Sequence, residues 1–243
     1  MKFTIELAGR LIGIRSLYPE IHDMCREYLS DRKPEFEIAI VPEDIACERA
    51  LSDREVRFEG KAPEPFPDSY LETLAVYRKI ADRLLAYDTL LFHGSAIAVD
   101  GSGYLFTGKS GAGKSTHARL WRELLGERAV MVNDDKPLLK ITKDSVIVYG
   151  TPWDGKHHLS RNISVPLKAI GCLEQSGENR ITELEKSERL PILLQQVYRP
   201  RDPGLLLKTL PLVNRLAATV RLYELSCNME PEAARVAYHG MNR

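Results

Sequence analysis

Alternating apolar positions give way to helical spacing and then return, and this order sets the expected elements. Residues 2–7 and 11–15 alternate as two short strands around an Ala8-Gly9-Arg10 turn. Tyr18, Ile21, Met24, Cys25, Tyr28 and Leu29 recur at the spacing of a helix face. Residues 36–41 read as a strand and residues 55–59 as a weaker one. Prolines at 63, 65 and 67 predict a loop or linker over 61–67. Ser69-x-x-Glu72 has the form of a capping box and opens a helix with Leu71, Leu74, Tyr77, Ala81, Leu84 and Leu85 on one face. The boundary is expected near residue 65. It separates a small α+β segment (1–65), too small to fold securely alone, from a larger domain (66–243).

Residues 91–99 form a continuous apolar run and read as one strand. Asp100-Gly101-Ser102-Gly103 is a hairpin turn, and residues 104–107 are a second strand that feeds a glycine-rich stretch. A helix follows over 114–125 and stops at Gly126. Strands are expected at 129–132, 138–141, 146–149, 165–173, 181–184 and 220–227. Helices are expected at 187–197, 204–218 and 231–238, with Pro191 and Pro211 disturbing the first two. The fold class is α/β. Because the strand entering the glycine-rich stretch is hairpin-paired to its predecessor, the sheet should be mixed and largely antiparallel, not a run of βαβ units.

Composition narrows the field. The 243 residues are 44% hydrophobic and 28% charged, with a formal net charge of zero. That suits a globular chain with a core and gives no reason to expect nucleic acid or an anionic membrane as partner. No apolar run approaches the roughly 18 residues of a membrane span. Glu6 interrupts the short apolar start, so no signal peptide is read and a cytoplasmic location is expected. Cys25, Cys47, Cys172 and Cys227 are scattered, which favours reduced core thiols over a zinc site.

The chemistry concentrates between residues 93 and 161. Gly108-Lys109-Ser110-Gly111-Ala112-Gly113-Lys114-Ser115 fits G-x-x-x-x-G-K-[ST]. Glycines let the backbone curl so that successive N–H groups point at phosphate oxygens, and the following helix directs its positive end at the same anions. Lys114 would neutralise the β- and γ-phosphates, and the Ser115 hydroxyl would bind Mg²⁺; with Thr116 these residues make the nucleotide-binding set. Asn133-Asp134-Asp135 ends an apolar strand. Two adjacent carboxylates permit one on the metal and one on an acceptor hydroxyl, or they merely cap the turn before Pro137. His93 ends another apolar stretch; it is either structural or, if the strands pair, a neighbour of the loop.

Together, His93-Gly94, the hairpin, the loop at 108–115 and Asp134-Asp135 resemble the HPr kinase/phosphorylase family, which is related to phosphoenolpyruvate carboxykinases in its nucleotide core. The resemblance covers about a third of the chain, residues 93–170 with the weaker 149–161 region included. It implies that Asp134 takes the proton from a serine-type hydroxyl, that Asp135 and Ser115 hold Mg²⁺, and that His93 lies beside the transferred phosphoryl group. It also implies a P-loop kinase core with a mixed, largely antiparallel sheet.

The sequence departs from that family where the acceptor would sit. Thr116 replaces a usual glutamate, and Tyr149-Gly150-Thr151-Pro152-Trp153-Asp154-Gly155-Lys156-His157-His158 stands in place of a glycine-rich signature. Lys156 and Arg161 could clamp a phosphate or carboxylate, one of His157 and His158 could touch substrate, and Asp154 could replace the missing glutamate. The expected reaction is ATP- and Mg²⁺-dependent transfer of the γ-phosphoryl group to a hydroxyl of a peptide, protein or small molecule other than HPr. An ATP-regulated binding module and a small-metabolite phosphotransferase are the alternatives, and homo-oligomerisation is left open.

Overall fold

The computed structural model describes residues 1–58, 66–155 and 157–242, without the side chains of Glu55 and Phe58. The chain forms two compact units, Met1–Arg83 and Leu84–Arg243.

In the first unit, β1 (Lys2–Leu7) and β2 (Arg10–Arg15) pair antiparallel about a turn in which Ala8 and Gly9 both have positive φ. A short helix α1 (Glu20–Met24) and a 3₁₀ turn (Arg26–Tyr28) precede β3 (Phe36–Ala39), which runs parallel to β2. Two long helices complete the unit, α2 (Pro42–Phe58) and α3 (Asp68–Leu84). The strand expected over 55–59 is absent from its described part, which belongs to α2. Residues 61–65 of the expected loop lie outside the described residues.

The units part after Arg83, later than the boundary near residue 65, and the partners of α3 explain why. Glu72 is fully buried, and its carboxylate accepts the backbone N–H groups of Leu17 and Tyr18. Arg78 pairs with Glu48, and Lys79 with Asp44. The capping-box pattern is therefore misleading. Glu72 serves a distant segment of the same unit, a tertiary use that a local motif cannot report.

The second unit is mixed α/β. Its strands are β4 (Thr89–Leu91), β5 (Ser95–Val99), β6 (Ser102–Thr107), β7 (Ala129–Asn133), β8 (Leu138–Ile141), β9 (Val146–Tyr149), β10 (Ser164–Gln175), β11 (Arg180–Glu183) and β12 (Arg221–Cys227). The helices are α4 (Lys114–Leu125), α5 (Lys186–Gln196), α6 (Pro203–Thr219) and α7 (Pro231–Met241). Among the described residues the strands form one nine-stranded sheet in the order β4-β8-β9-β10-β6-β5-β7, with β12 on β10 and β11 on β12. Most pairings are antiparallel, but β10 runs parallel to both β6 and β12. One long strand thus serves two neighbours in succession: Ser164–Pro166 pair with β9, and residues 169–175 pair with β12.

The single strand expected over 91–99 is in fact two. β4 joins β8, β5 joins β6 and β7, and the chain breaks at Phe92-His93-Gly94. Gly94 permits the crossing, since a Cβ there would lie 2.6 Å from the Phe106 carbonyl oxygen. Pro191 and Pro211 sit inside α5 and α6 without ending them.

Alternation sorts the core. On β6, Leu105 packs with Phe92, Ile170, Leu212, Val213 and Leu216, on the α6 side. Its neighbours Tyr104 and Phe106 pack with Trp121, Met131, Leu225 and Ala234, on the side of α4 and α7. The registers also place the C-terminal ends of β6, β7, β10 and β12 at one edge of the sheet, where β5 begins. Loops outside the carboxyl ends of such strands are where ligands bind in open α/β sheets. Among the described residues no helix is long and apolar enough to cross a membrane.

Candidate functional site

The glycine-rich residues 108–113 bridge the end of β6 and the start of α4. Gly108 has φ 141°, and a Cβ there would sit 2.8 Å from the Leu173 carbonyl oxygen, so the loop hugs β10. Gly113, the residue before α4, has φ 97°, a backbone that side-chain-bearing residues rarely adopt. Thr107 anchors the loop from behind. Its hydroxyl lies 2.9 Å from both the His93 carbonyl and Gln196 Oε1.

Lys114 opens α4, and among the described residues its ammonium makes only long contacts, 3.4 Å to the Gly108 carbonyl and 3.3 Å to that of Lys109. Burial lowers its pKa, against the pull of Asp135 and Asp134. His93 is brought to the same place from the β4–β5 break. Its Nε2 stands 3.7 Å from Asp135 Oδ1, too far for a hydrogen bond. Burial and then the Lys114 ammonium lower the His93 pKa, with Asp135 opposing, which keeps the ring neutral near pH 7. Asp135 also faces Lys136 at 3.5 Å. Asp134 is buried: Oδ1 accepts the Ser95 hydroxyl, and a Cβ on Gly155 would come within 3.0 Å of Oδ2.

Sequence reading missed the group that holds this arrangement. Asn133 is fully buried; its Oδ1 accepts the N–H groups of Asp135 (2.9 Å) and Lys136 (2.7 Å). Its Nδ2 lies within 3.2 Å of the Thr151 and Trp153 carbonyls and 3.0 Å from the Thr151 hydroxyl. One amide therefore ties the carboxylate turn to the 151–155 segment. Gly150 packs there too tightly for any side chain, since a Cβ would fall 1.9 Å from the Arg161 carbonyl oxygen. An asparagine preceding two aspartates at a strand end was the only available signal, and by itself it reads as turn chemistry.

The remaining residues of the expected acceptor side are partly gathered. Asp154 accepts the Ser160 N–H and stands 2.9 Å from His158 Nδ1, so it is engaged within its own loop. His157 and His158 are exposed. Arg161 is also exposed, and its backbone N–H donates to the Val132 carbonyl. Lys156 lies outside the described residues. Ser115 is exposed and Thr116 half-buried at the start of α4. Among the described residues no three His, Cys, Asp or Glu side chains converge as a metal cluster. A cation here would rest on a carboxylate, a hydroxyl and ligand oxygens, as Mg²⁺ often does. A cavity of about 410 Å³ adjoins the loop, lined in part by Lys109, Cys172, Glu174, Gln196 and Glu224. All four cysteines are unbridged, and burial raises the pKa of Cys25 to about 12.

One histidine on α4 makes acid stability a measurable property. His117 is 2% exposed, and burial depresses its pKa to about 4 from an ordinary 6.5. Between those values the unfolded chain binds the proton and the folded chain does not. Stability is therefore complete above about pH 6.5 and falls by up to roughly 3 kcal/mol as the pH drops to 4. Urea midpoints at pH 7 and pH 5 should show this loss, and His117→Asn should reduce it. Equal pH dependence in the variant would assign the loss elsewhere.

Residues 69–198, more than half of the chain, match the family model described as SynChlorMet cassette protein ScmC. No curated protein matches the chain. Among solved structures, the Hpr(Ser) kinase/phosphatase from Coxiella burnetii aligns over 63% of this chain and 99% of its own, at 14% identity and a TM-score of 0.32.

Proposed function

We propose a phosphotransfer function for this chain, which belongs to the SynChlorMet cassette protein ScmC family. In this reading it is a kinase that moves the γ-phosphoryl group of ATP, with Mg²⁺, to a hydroxyl of a peptide, protein or small molecule. The observation that carries it is the convergence of Lys114, His93 and the Asp134–Asp135 pair, drawn from separate strands and a helix end, at the edge where β6 enters the loop.

The residues fit a triphosphate. Lys114 has a cationic head with only long carbonyl contacts among the described residues, the loop has the glycine backbone that turns N–H groups toward an anion, and α4 points its positive end at the same place. The nucleotide supplies the phosphoryl group and the ion neutralises its charge. Residues 108–116 would hold the phosphates, while Ser115 and Asp135 would hold the ion. Asp134, fixed by Ser95 through Oδ1, keeps Oδ2 for the acceptor proton. As the acceptor oxygen bonds to phosphorus and the β–γ bridging bond breaks, that proton passes to Asp134. His93 would donate or accept a hydrogen bond beside the transferred group. Residues 153–155, held against Asp134 through Gly155, would face the acceptor.

The direct test is incubation with γ-labelled ATP, Mg²⁺ and a panel of serine peptides and small hydroxylated metabolites. Label should appear on an acceptor with the unaltered chain and not with Lys114→Ala. If ATP binds but is only hydrolysed across the whole panel, the chain is a nucleotide-controlled binding module and the kinase reading fails.

A further inference from the structure

His117 takes no part in the phosphate chemistry above, yet its hydrogen bonding is incomplete. Trp121 Nε1 lies 3.1 Å from His117 Nε2. An indole N–H can only donate, so Nε2 accepts and the single proton of the neutral ring sits on Nδ1. That Nδ1–H is buried and has no hydrogen-bond partner among the described residues. A buried donor left unmade is unfavourable, and an acceptor atom of a bound ligand would satisfy it.

His117 also lines a cavity of about 510 Å³. Its lining includes the second half of the glycine-rich loop with Thr116, and residues 175–177 and 227–229 at the ends of β10 and β12. Leu120 lines it too, and so does Met229, which is 72% exposed. Neither His93 nor the aspartate pair lines it. The volume and the mix of apolar and amide side chains suit a small flat ligand, and methionine sulfur packs well on aromatic rings. Gly111, Ala112, Gly113 and Thr116 belong both to this cavity and to the proposed phosphate cradle, so a group attached to those phosphates lies within reach of it.

We infer that the cavity seats the base of the nucleotide, and that His117 Nδ1–H donates a hydrogen bond to an acceptor atom of a purine. This rests on the triphosphate reading of the loop and adds base recognition to it. A purine presents unprotonated ring nitrogens on both rings, any of which can accept from a neutral imidazole N–H.

Calorimetric titration of the full chain, with Mg²⁺, separates the two claims. Inorganic tripolyphosphate probes the loop alone; ATP adds sugar and base; 1-, 3- and 7-deaza-ATP each remove one ring acceptor. ATP should bind about tenfold or more tighter than tripolyphosphate, and one deaza analogue should lose about fivefold, the worth of one hydrogen bond. His117→Gln keeps an acceptor for Trp121 but no donor at the δ position, and it should erase that preference without weakening tripolyphosphate. His117→Asn keeps an N–H near the δ position and should restore it. Equal affinities for ATP and tripolyphosphate, or a deaza series with no loss, would overturn the inference, and the deaza series decides even if a variant does not fold. If neither ATP nor tripolyphosphate binds, the triphosphate reading itself has failed and base recognition falls with it.

Discussion

Asp134→Asn is expected to slow phosphoryl transfer by about 10²–10⁴-fold, the usual contribution of a positioned general base. The substitution is nearly isosteric, and an amide can still accept the Ser95 hydroxyl at the Oδ1 position. The variant should therefore fold and bind nucleotide close to normally. What it loses is basicity at the second oxygen, which is packed near Gly155 and, in the proposed reading, meets the acceptor. Single-turnover transfer at saturating ATP isolates that step. A rate within threefold of the unaltered chain would remove Asp134 as the base. Ser95→Ala is a useful companion: it frees the carboxylate from its hydroxyl partner, and its effect should be smaller because the base remains.

The second large effect is structural. Asn133→Asp changes one atom and should destabilise the Leu84–Arg243 unit by about 3–5 kcal/mol, the cost of a buried charge without a partner. Nδ2 of Asn133 faces the carbonyls of Thr151 and Trp153, so an oxygen there meets acceptors where a donor is needed. Protonating the new carboxyl relieves part of the cost, so the variant should gain relative stability as pH falls. Urea unfolding of both proteins at pH 7 and pH 5 measures this. A loss under 1 kcal/mol at pH 7 would mean that the amide does not hold the two segments together.

These two neighbours mark the limit of what the sequence could tell. The hairpin at Asp100-Gly101, the loop and α4 were legible because their signals are local: paired positive-φ residues, glycine spacing and a helical apolar face. The break at His93-Gly94 was not, because the apolar run continues through it and the cause is the Phe106 carbonyl approaching from another strand. Asn133 was read only as part of a carboxylate motif, since its partners at 151 and 153 become neighbours only after β8 and β9 fold back. The role of Glu72 was hidden for the same reason, with its partners at Leu17 and Tyr18 far along the chain. Residues whose chemistry is set by immediate neighbours were legible, and residues that join distant segments were not.

The long strand β10 bears on how this protein can be dissected. Its first residues complete the β8–β9 meander, its later ones complete the pairing with β12, and its other side carries the strand that enters the glycine-rich loop. A fragment ending before residue 164 would lack one of the two neighbours of β6 and leave the loop without the Leu173 backbone against which Gly108 is packed. A fragment beginning after the meander would lack both the glycine-rich loop and the turn that carries Asp134. The second unit is therefore a single module for engineering purposes: no cut between its strands leaves a complete sheet around the loop.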